Sequence, residues 1–236
     1  MARKVLTVGL DADDTLWHNE TFFKLTEARF RDLLGDYAEA DHLAERLLEA
    51  EKRNIHHYGF GIKGFVLSMI ETAIEVTDKR VPAHVISQIL EAGQDMLAHP
   101  VDLLDGVQDA VETLAQNHQV ILITKGDLLD QERKIAASGI DHLFTAVEVV
   151  SDKNTTTYAR IFSQHGAGPE TALMAGNSMK SDVLPMIEAG GHGVFIPFAE
   201  AWALEHAEAP ETHPRYHTLE ALADLPNLIQ DLQDDS

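Results

Sequence analysis

The sequence contains no cysteine, which excludes disulfide bonds and thiolate metal sites. The same absence is typical of proteins in a reducing compartment. No apolar run reaches the roughly 18 residues that a helix needs to cross a bilayer. The basic start, Met1-Ala2-Arg3-Lys4, precedes only a short apolar run, whereas a secretory signal needs a longer one. These features predict a cytoplasmic protein with no membrane partner.

Basic residues are also scarce. Lys and Arg number 18 against 39 Asp and Glu, so the formal net charge is −21. A surface with this charge repels nucleic acid and anionic membranes, and neither is an expected partner. An anionic substrate would therefore need local cations, supplied by lysine side chains or by a bound metal ion. The charge is compatible with a monomer or a homodimer.

Strands and helices alternate in the second half of the chain. An apolar run without polar alternation, Val5-Leu6-Thr7-Val8-Gly9-Leu10, predicts a first buried strand near the N-terminus. Four further strands are predicted over residues 119–124, 146–150, 171–175 and 193–197, each separated from the next by a helical pattern. This order predicts an α/β fold with a Rossmann-like parallel sheet and helices on both faces.

Residues 19–100 show no convincing strand. Their apolar residues recur at helical spacing in four segments, which are separated by glycine or proline. We therefore predict two domains. Residues 1–18 and 101–236 form the α/β core, and residues 19–100 form an inserted all-helical domain.

Polar side chains follow four of the predicted strands. Ligands of such sheets bind beyond the carboxyl ends of the strands. The candidates at these ends are Asp11, Asp13 and Thr15, then Thr124 and Lys125, then Lys153, and finally Asn177 and Asp182. One such residue would be a weak signal, but four strand ends supplying one rim predict a site.

The residue types at this rim suit phosphoryl transfer. Asp11 and Asp182 offer the hard oxygen ligands that Mg²⁺ prefers. Lys153 is a compact charge that suits a phosphoryl oxygen or a crowded carboxylate, and Thr124 can donate a hydroxyl hydrogen bond. A carboxylate that attacks a phosphoryl group splits hydrolysis into two steps through an aspartyl phosphate.

Four segments together resemble the motifs of the haloacid dehalogenase (HAD) superfamily, in order and across most of the chain. They are Asp11-Ala12-Asp13-Asp14-Thr15, Thr124, Lys153, and Gly176-Asn177-Ser178 with Asp182. The helical insertion stands where that family places a type 1 cap. The resemblance implies that Asp11 is the nucleophile and a metal ligand. Asp13 would be the general acid/base, with its backbone carbonyl on the metal. Thr124 and Lys153 would hold the phosphoryl group, and Asp182 would ligate Mg²⁺.

Two residues bear on the reaction within that family. Asn177 stands where phosphatases often carry Asp, so an amide oxygen would replace one acidic metal ligand. Asp13 argues against dehalogenation, because a halide leaving group needs no proton. The expected function is a Mg²⁺-dependent phosphatase acting on a small-molecule phosphomonoester. The alternatives are a phosphomutase, a haloacid dehalogenase-type hydrolase, and a non-catalytic metal- or phosphate-binding protein.

Two further lysines are candidates for substrate binding. Lys125 directly follows Thr124, and Lys63 lies in a glycine-rich break of the helical insertion, from which a cap could lower a cation onto the substrate. Each is explained equally well as a solvated lysine.

Overall fold

The computed structural model describes residues 7–200 and 202–234. Val5 and Leu6 of the predicted first strand lie outside the described residues. Within the described part of the chain, no helix is both long enough and apolar enough to span a membrane.

Six parallel strands form one sheet in the order β3-β2-β1-β4-β5-β6. The strands are β1 (Thr7–Leu10), β2 (Gln119–Lys125), β3 (Ala146–Val150), β4 (Ala172–Gly176), β5 (His192–Phe195) and β6 (Tyr216–Thr218). β1 pairs with β2 on one side and with β4 on the other. The strand order reverses at β1, and such a reversal opens a crevice at the carboxyl ends of the strands.

Helices pack on both faces of the sheet, and the predicted fold class is confirmed. The helices of this part of the chain are α5 (Val107–Ala115), α6 (Leu128–Ala137), α7 (Thr155–His165), α8 (Leu184–Glu188) and α9 (Leu225–Asp234). Gly9 shows how closely they pack. A Cβ atom added there would lie 2.7 Å from Phe162 Cζ and 2.9 Å from Met174 Sδ. Position 9 of β1 therefore has no room for a side chain.

The chain divides into two compact units. The first comprises the described residues of Met1–Glu20, Val101–Lys125 and Gln131–Ser236, and the second comprises Thr21–Pro100 with Gly126–Asp130. The second unit thus includes a five-residue stretch that the sequence analysis assigned to the α/β core. The domain boundaries predicted from the sequence stay a prediction.

The second unit contains four helices with their own apolar core. These are α1 (Glu20–Leu34, whose first residue belongs to the first unit), α2 (Ala40–Tyr58), α3 (Ile62–Val76) and α4 (Ala83–Ala98). Each helix contributes apolar side chains to one buried cluster, among them Phe30, Leu43, Met69 and Ile89. The apolar residues recur at helical spacing in the sequence because they face this cluster.

Candidate active site

The loop after β1 turns sharply after Asp11. The Asp11 N–H still donates to Ala175 O on β4, at 2.9 Å, but the Leu16 N–H then donates back to Ala12 O, at 2.8 Å. Because the chain is not extended here, the alternation of a strand no longer places Asp11 and Asp13 on the same side. Their carboxylates have different partners.

Asp11, Lys153 and Asp182 meet at the carboxyl end of the sheet. The Lys153 ammonium forms an ion pair with Asp11 Oδ1 and lies 2.7 Å from Asp182 Oδ1. All three residues are buried. Asp182 Oδ2 also accepts a hydrogen bond from the Ser178 N–H, at 2.9 Å. The structure thus brings together three of the residues that the sequence placed at one rim.

Burial and the neighbouring charges shift the pKa values of Asp11 and Lys153. Burial raises the pKa of Asp11 to about 7; the Lys153 ammonium opposes this rise, and the Asp182 carboxylate adds to it. Burial alone would lower the pKa of Lys153, but the two carboxylates raise it above its usual value. Lys153 is therefore charged at neutral pH, whereas Asp11 needs further positive charge nearby to be fully ionised.

Gly176 provides the space for these carboxylates. A Cβ atom at this position would lie 2.2 Å from Asp182 Oδ2 and 2.9 Å from Asp11 Cβ. A side chain at position 176 would therefore displace the side chains of Asp182 and Asp11.

The Asn177 side chain lies against two acceptor oxygens. The Asn177 amide lies 3.3 Å from Asp11 Oδ2 and 3.3 Å from the backbone oxygen of Asp13. Both of these atoms are acceptors, so the amide can present its N–H groups to them or, with a cation among the three, its oxygen. Within the described residues, no three Asp, Glu or His side chains are grouped to hold a metal ion. A metal site here would need amide and carbonyl oxygens beside carboxylates, a ligand set that suits Mg²⁺.

The Asp13 carboxylate is held by three other side chains. Its Oδ1 accepts from Trp17 Nε1 at 2.7 Å, and its Oδ2 accepts from Gln131 Nε2 at 2.9 Å. Lys134 Nζ lies 2.6 Å from Oδ1 and 2.8 Å from Oδ2. Burial alone would raise the pKa of Asp13, but Lys134, Gln131 and Trp17 together lower it. Asp13 is therefore a carboxylate at neutral pH.

Sequence reasoning missed Gln131 and Lys134. Both lie on α6 three residues apart, and both are almost fully buried. The only signal in the sequence was their spacing of three residues, which places both side chains on one face of a helix. Polar residues on a buried helix face cannot be distinguished in a sequence from those on a solvated face.

The side chain of Asp14 has a structural partner. Its carboxylate accepts hydrogen bonds from the backbone N–H groups of Asn19, at 2.9 Å, and of Glu20, at 3.0 Å, where α1 begins. The residue has φ 60, in the left-handed region that Asp and Asn tolerate better than most residues. Asp14 therefore holds the start of α1.

We expect Asp14→Ala to lower the free energy of unfolding by about 1–2 kcal/mol, because it removes the cap and places Ala in a strained conformation. Asp14→Gly removes the cap without the strain, and Asp14→Asn keeps an acceptor. Urea denaturation should rank the losses as Ala, then Gly, then Asn. A loss for Asn as large as that for Ala would contradict this role.

The Lys125 side chain contacts two other side chains of the protein. Its ammonium lies 2.5 Å from Glu205 Oε1 and donates to Ser181 Oγ at 2.7 Å. Glu205 also accepts from the hydroxyls of Ser178 and Ser181. Burial alone would raise the pKa of Glu205, but Lys125 and the two hydroxyls lower it. Glu205 stands in a stretch without a clear sequence pattern, and nothing in the sequence indicated this contact.

The two remaining candidates are Thr124 and Lys63. Thr124 is the second-to-last residue of β2 and is 1% exposed, so its hydroxyl belongs to the interior of the sheet's carboxyl end. Lys63 Nζ lies 2.9 Å from both carboxylate oxygens of Asp127, within the helical unit. The roles predicted for both residues at the substrate stay predictions.

A comparison with protein families identifies the family of this chain. The sequence model of the haloacid dehalogenase-like hydrolases matches residues 5–190. The chain belongs to this family. The predicted resemblance is confirmed, and the protein is a hydrolase.

Solved structures of haloacid dehalogenase-like proteins resemble this hydrolase along almost its whole length. A haloacid dehalogenase-like family hydrolase from Xanthomonas campestris is 40% identical, with a TM-score of 0.88 over 99% of this chain and 94% of that one. The putative HAD-hydrolase YfnB from Bacillus subtilis, bound to magnesium, is 18% identical, with a TM-score of 0.65 over 96% and 99% of the two chains.

The L-2-haloacid dehalogenase from Xanthobacter autotrophicus, with chloropropionic acid covalently bound, is 16% identical, with a TM-score of 0.66 over 96% and 98% of the two chains. At such identities YfnB and the dehalogenase share the fold alone with this hydrolase. Among curated proteins, none matches significantly.

Proposed function

We propose that this hydrolase is a Mg²⁺-dependent phosphatase that cleaves a small-molecule phosphomonoester through an aspartyl phosphate on Asp11. One observation carries the proposal. The Asn177 amide lies 3.3 Å from Asp11 Oδ2 and 3.3 Å from the Asp13 backbone oxygen. Oxygen donors in such a group suit a hard cation that also binds phosphate.

The nucleophile is oriented by its neighbours. Thr15 Oγ1 donates to Asp11 Oδ2 at 3.1 Å, and the Lys153 ammonium holds the other oxygen. In the proposed reaction Asp11 attacks the phosphorus atom, and Lys153 and Thr124 bind the phosphoryl oxygens. Phosphoryl transfer depends mainly on such positioning and charge neutralisation.

Asp11, the Asp13 backbone oxygen, Asn177 and Asp182 would hold the metal ion. When bound there, Mg²⁺ supplies positive charge that keeps Asp11 ionised and neutralises the phosphoryl oxygens. Asp11 needs such charge, because burial raises its pKa to about 7.

Asp13 is the proposed general acid/base. Its lowered pKa favours the carboxylate, which is the form that activates water to hydrolyse the aspartyl phosphate. To protonate the leaving oxygen in the first step, Asp13 must take up a proton after the substrate replaces one of its present contacts.

The net charge of the chain bears on the class of substrate. The formal net charge of −21 opposes nucleic acid and anionic membranes as partners. A soluble phosphate ester in the cytoplasm, bound by a monomer or a homodimer, is the partner that we propose.

A haloacid dehalogenase is the second candidate, and the Asp13 contacts favour it. Trp17, Gln131 and Lys134 occupy the Asp13 carboxylate, and an enzyme that expels halide would need no proton from it. Asp11 would then attack carbon, with the same orienting contacts.

Two assays separate these candidates. We expect Mg²⁺-dependent release of p-nitrophenol from its phosphate ester, loss of that activity in EDTA, and no release of chloride from 2-chloropropionate. Chloride release without added metal would establish the dehalogenase instead. Inertness toward all phosphate esters at every Mg²⁺ concentration would refute the phosphatase.

Asn177→Asp tests the metal site more directly. The variant adds a further carboxylate to the proposed ligands, so we expect half-maximal activity at a lower Mg²⁺ concentration. The expected shift is on the order of tenfold, or about 1.4 kcal/mol of binding free energy. Asn117→Asp serves as a control for the added charge, because Asn117 is exposed and lies just before β2, at the opposite end of that strand from these ligands. Equal shifts in the two variants would contradict metal binding by Asn177.

A further inference from the structure

Three side chains donate hydrogen bonds to the Asp13 carboxylate. Trp17 comes from the same loop, whereas Gln131 and Lys134 come from α6, and all of them belong to the first unit. Each Asp13 oxygen accepts two hydrogen bonds, one of them from Lys134. An ionised carboxylate offers about four acceptor positions, so these four hydrogen bonds fill them.

We propose that Lys134 is a positioning residue that fixes the Asp13 carboxylate for proton transfer, with Gln131 as a second anchor. This inference rests on the proposed function, in which Asp13 is the general acid/base. Lys134 is suited to the role because it contacts both Asp13 oxygens. When one oxygen turns to the reacting group, the contact between Lys134 and the other oxygen keeps the carboxylate in its orientation.

Lys134 is itself held in place. Its side chain is 9% exposed, and its ammonium also donates to Asn19 Oδ1, at 3.2 Å. A buried ammonium is costly to desolvate and is seldom found without a carboxylate partner. The contact with Asp13 accounts for the burial of Lys134 on α6, beside the buried Ile135.

Gln131 connects Asp13 to the end of β2. Its Nε2 donates to Asp13 Oδ2 at 2.9 Å and to the backbone oxygen of Lys125 at 3.2 Å. Lys125 directly follows Thr124, which is proposed to bind the phosphoryl group. Gln131 therefore fixes the proposed acid/base relative to the strand that carries Thr124.

The catalytic consequence can be measured with aryl phosphates whose leaving groups range from phenol to p-nitrophenol. kcat/KM reports the reaction up to phosphoryl transfer, and phenolate needs a proton more than p-nitrophenolate does. We expect Lys134→Met to lower kcat/KM roughly tenfold or more for phenyl phosphate and less than about threefold for p-nitrophenyl phosphate. Lys134→Arg, which retains a cation, should recover part of the loss for phenyl phosphate.

Ile135→Val is the matched control. It removes one buried methylene from the same helix without touching Asp13, so it should leave the dependence on the leaving group unchanged. Equal losses on both esters in Lys134→Met would overturn the proposal, because a merely structural defect would not discriminate between leaving groups.

A second readout needs no activity. The chain has only two tryptophans, Trp17 and Trp202, so two indole N–H resonances are expected in a ¹⁵N–¹H spectrum. Lys134→Met should shift the Trp17 resonance, because its acceptor Asp13 is released, whereas Ile135→Val should not. An unmoved Trp17 resonance would overturn the positioning role. Inactivity of the wild type toward every phosphate ester, with a shifted resonance, would refute the phosphatase and still support this contact.

Discussion

Asp11→Asn is expected to abolish phosphate ester hydrolysis, with kcat falling by about 10⁴-fold or more, as for other enzymes that lose their nucleophile. The amide has the shape of the carboxylate but cannot form the aspartyl phosphate. Acid quenching of the wild type during turnover should trap a phosphorylated peptide that contains Asp11, and the variant should yield none. Both measurements use p-nitrophenyl phosphate with Mg²⁺.

The fold should survive this substitution. In the folded protein burial raises the pKa of Asp11 to about 7, above its ordinary value of 3.8, so ionised Asp11 costs stability at neutral pH. A neutral amide removes that cost, although Lys153 loses one partner. Asp14→Asn provides the control, since that carboxylate lies in the same acidic cluster but caps α1. A fully active Asp11→Asn protein would refute the assignment of the nucleophile.

Lys153→Met is expected to have the largest effect on stability. It removes the cation between two buried carboxylates, and Asp11 and Asp182 then repel each other without compensation. Removing one partner of a buried ion pair typically costs about 3–5 kcal/mol of unfolding free energy. Because Lys153 is also a proposed ligand of the phosphoryl group, kcat should fall by roughly 100-fold or more.

The stability loss should depend on pH. Without Lys153 the folded-state pKa of Asp11 rises further above its unfolded value, because an attractive charge is removed and Asp182 remains. A carboxylate with a raised folded-state pKa costs no stability below its unfolded pKa, and that cost grows as pH rises through the folded pKa. Urea denaturation in EDTA should therefore show a larger difference from the wild type at pH 8 than at pH 5.

Lys153→Arg separates the two effects of this residue. The guanidinium keeps the charge, so it should restore part of the stability. Its planar shape does not fit a site built for a compact ammonium, and activity should stay low. A stability difference between Lys153→Met and the wild type that does not change with pH would contradict the proposed interaction with the two carboxylates.

Much of the architecture could be predicted from the sequence, for identifiable reasons. Strands buried on both faces are continuously apolar, and the helices between them show a period near 3.6, so the α/β class and the sheet were readable. The rule that ligands bind at the carboxyl ends of parallel strands placed Asp11, Lys153 and Asp182 together. The structure then joins these three residues in one buried ion-paired group.

The sequence by itself determined which residues stand at the ends of the strands, because backbone pairing brings those positions to one edge whatever side chains they carry. Only the tertiary structure decided which partner each side chain takes. Asp13 follows Asp11 by two positions, yet the turn at Ala12 directs it to Gln131 and Lys134, more than 100 residues away in the chain. Such contacts depend on which face of α6 is buried, and charged residues on a helix look the same in a sequence whether they face solvent or a carboxylate.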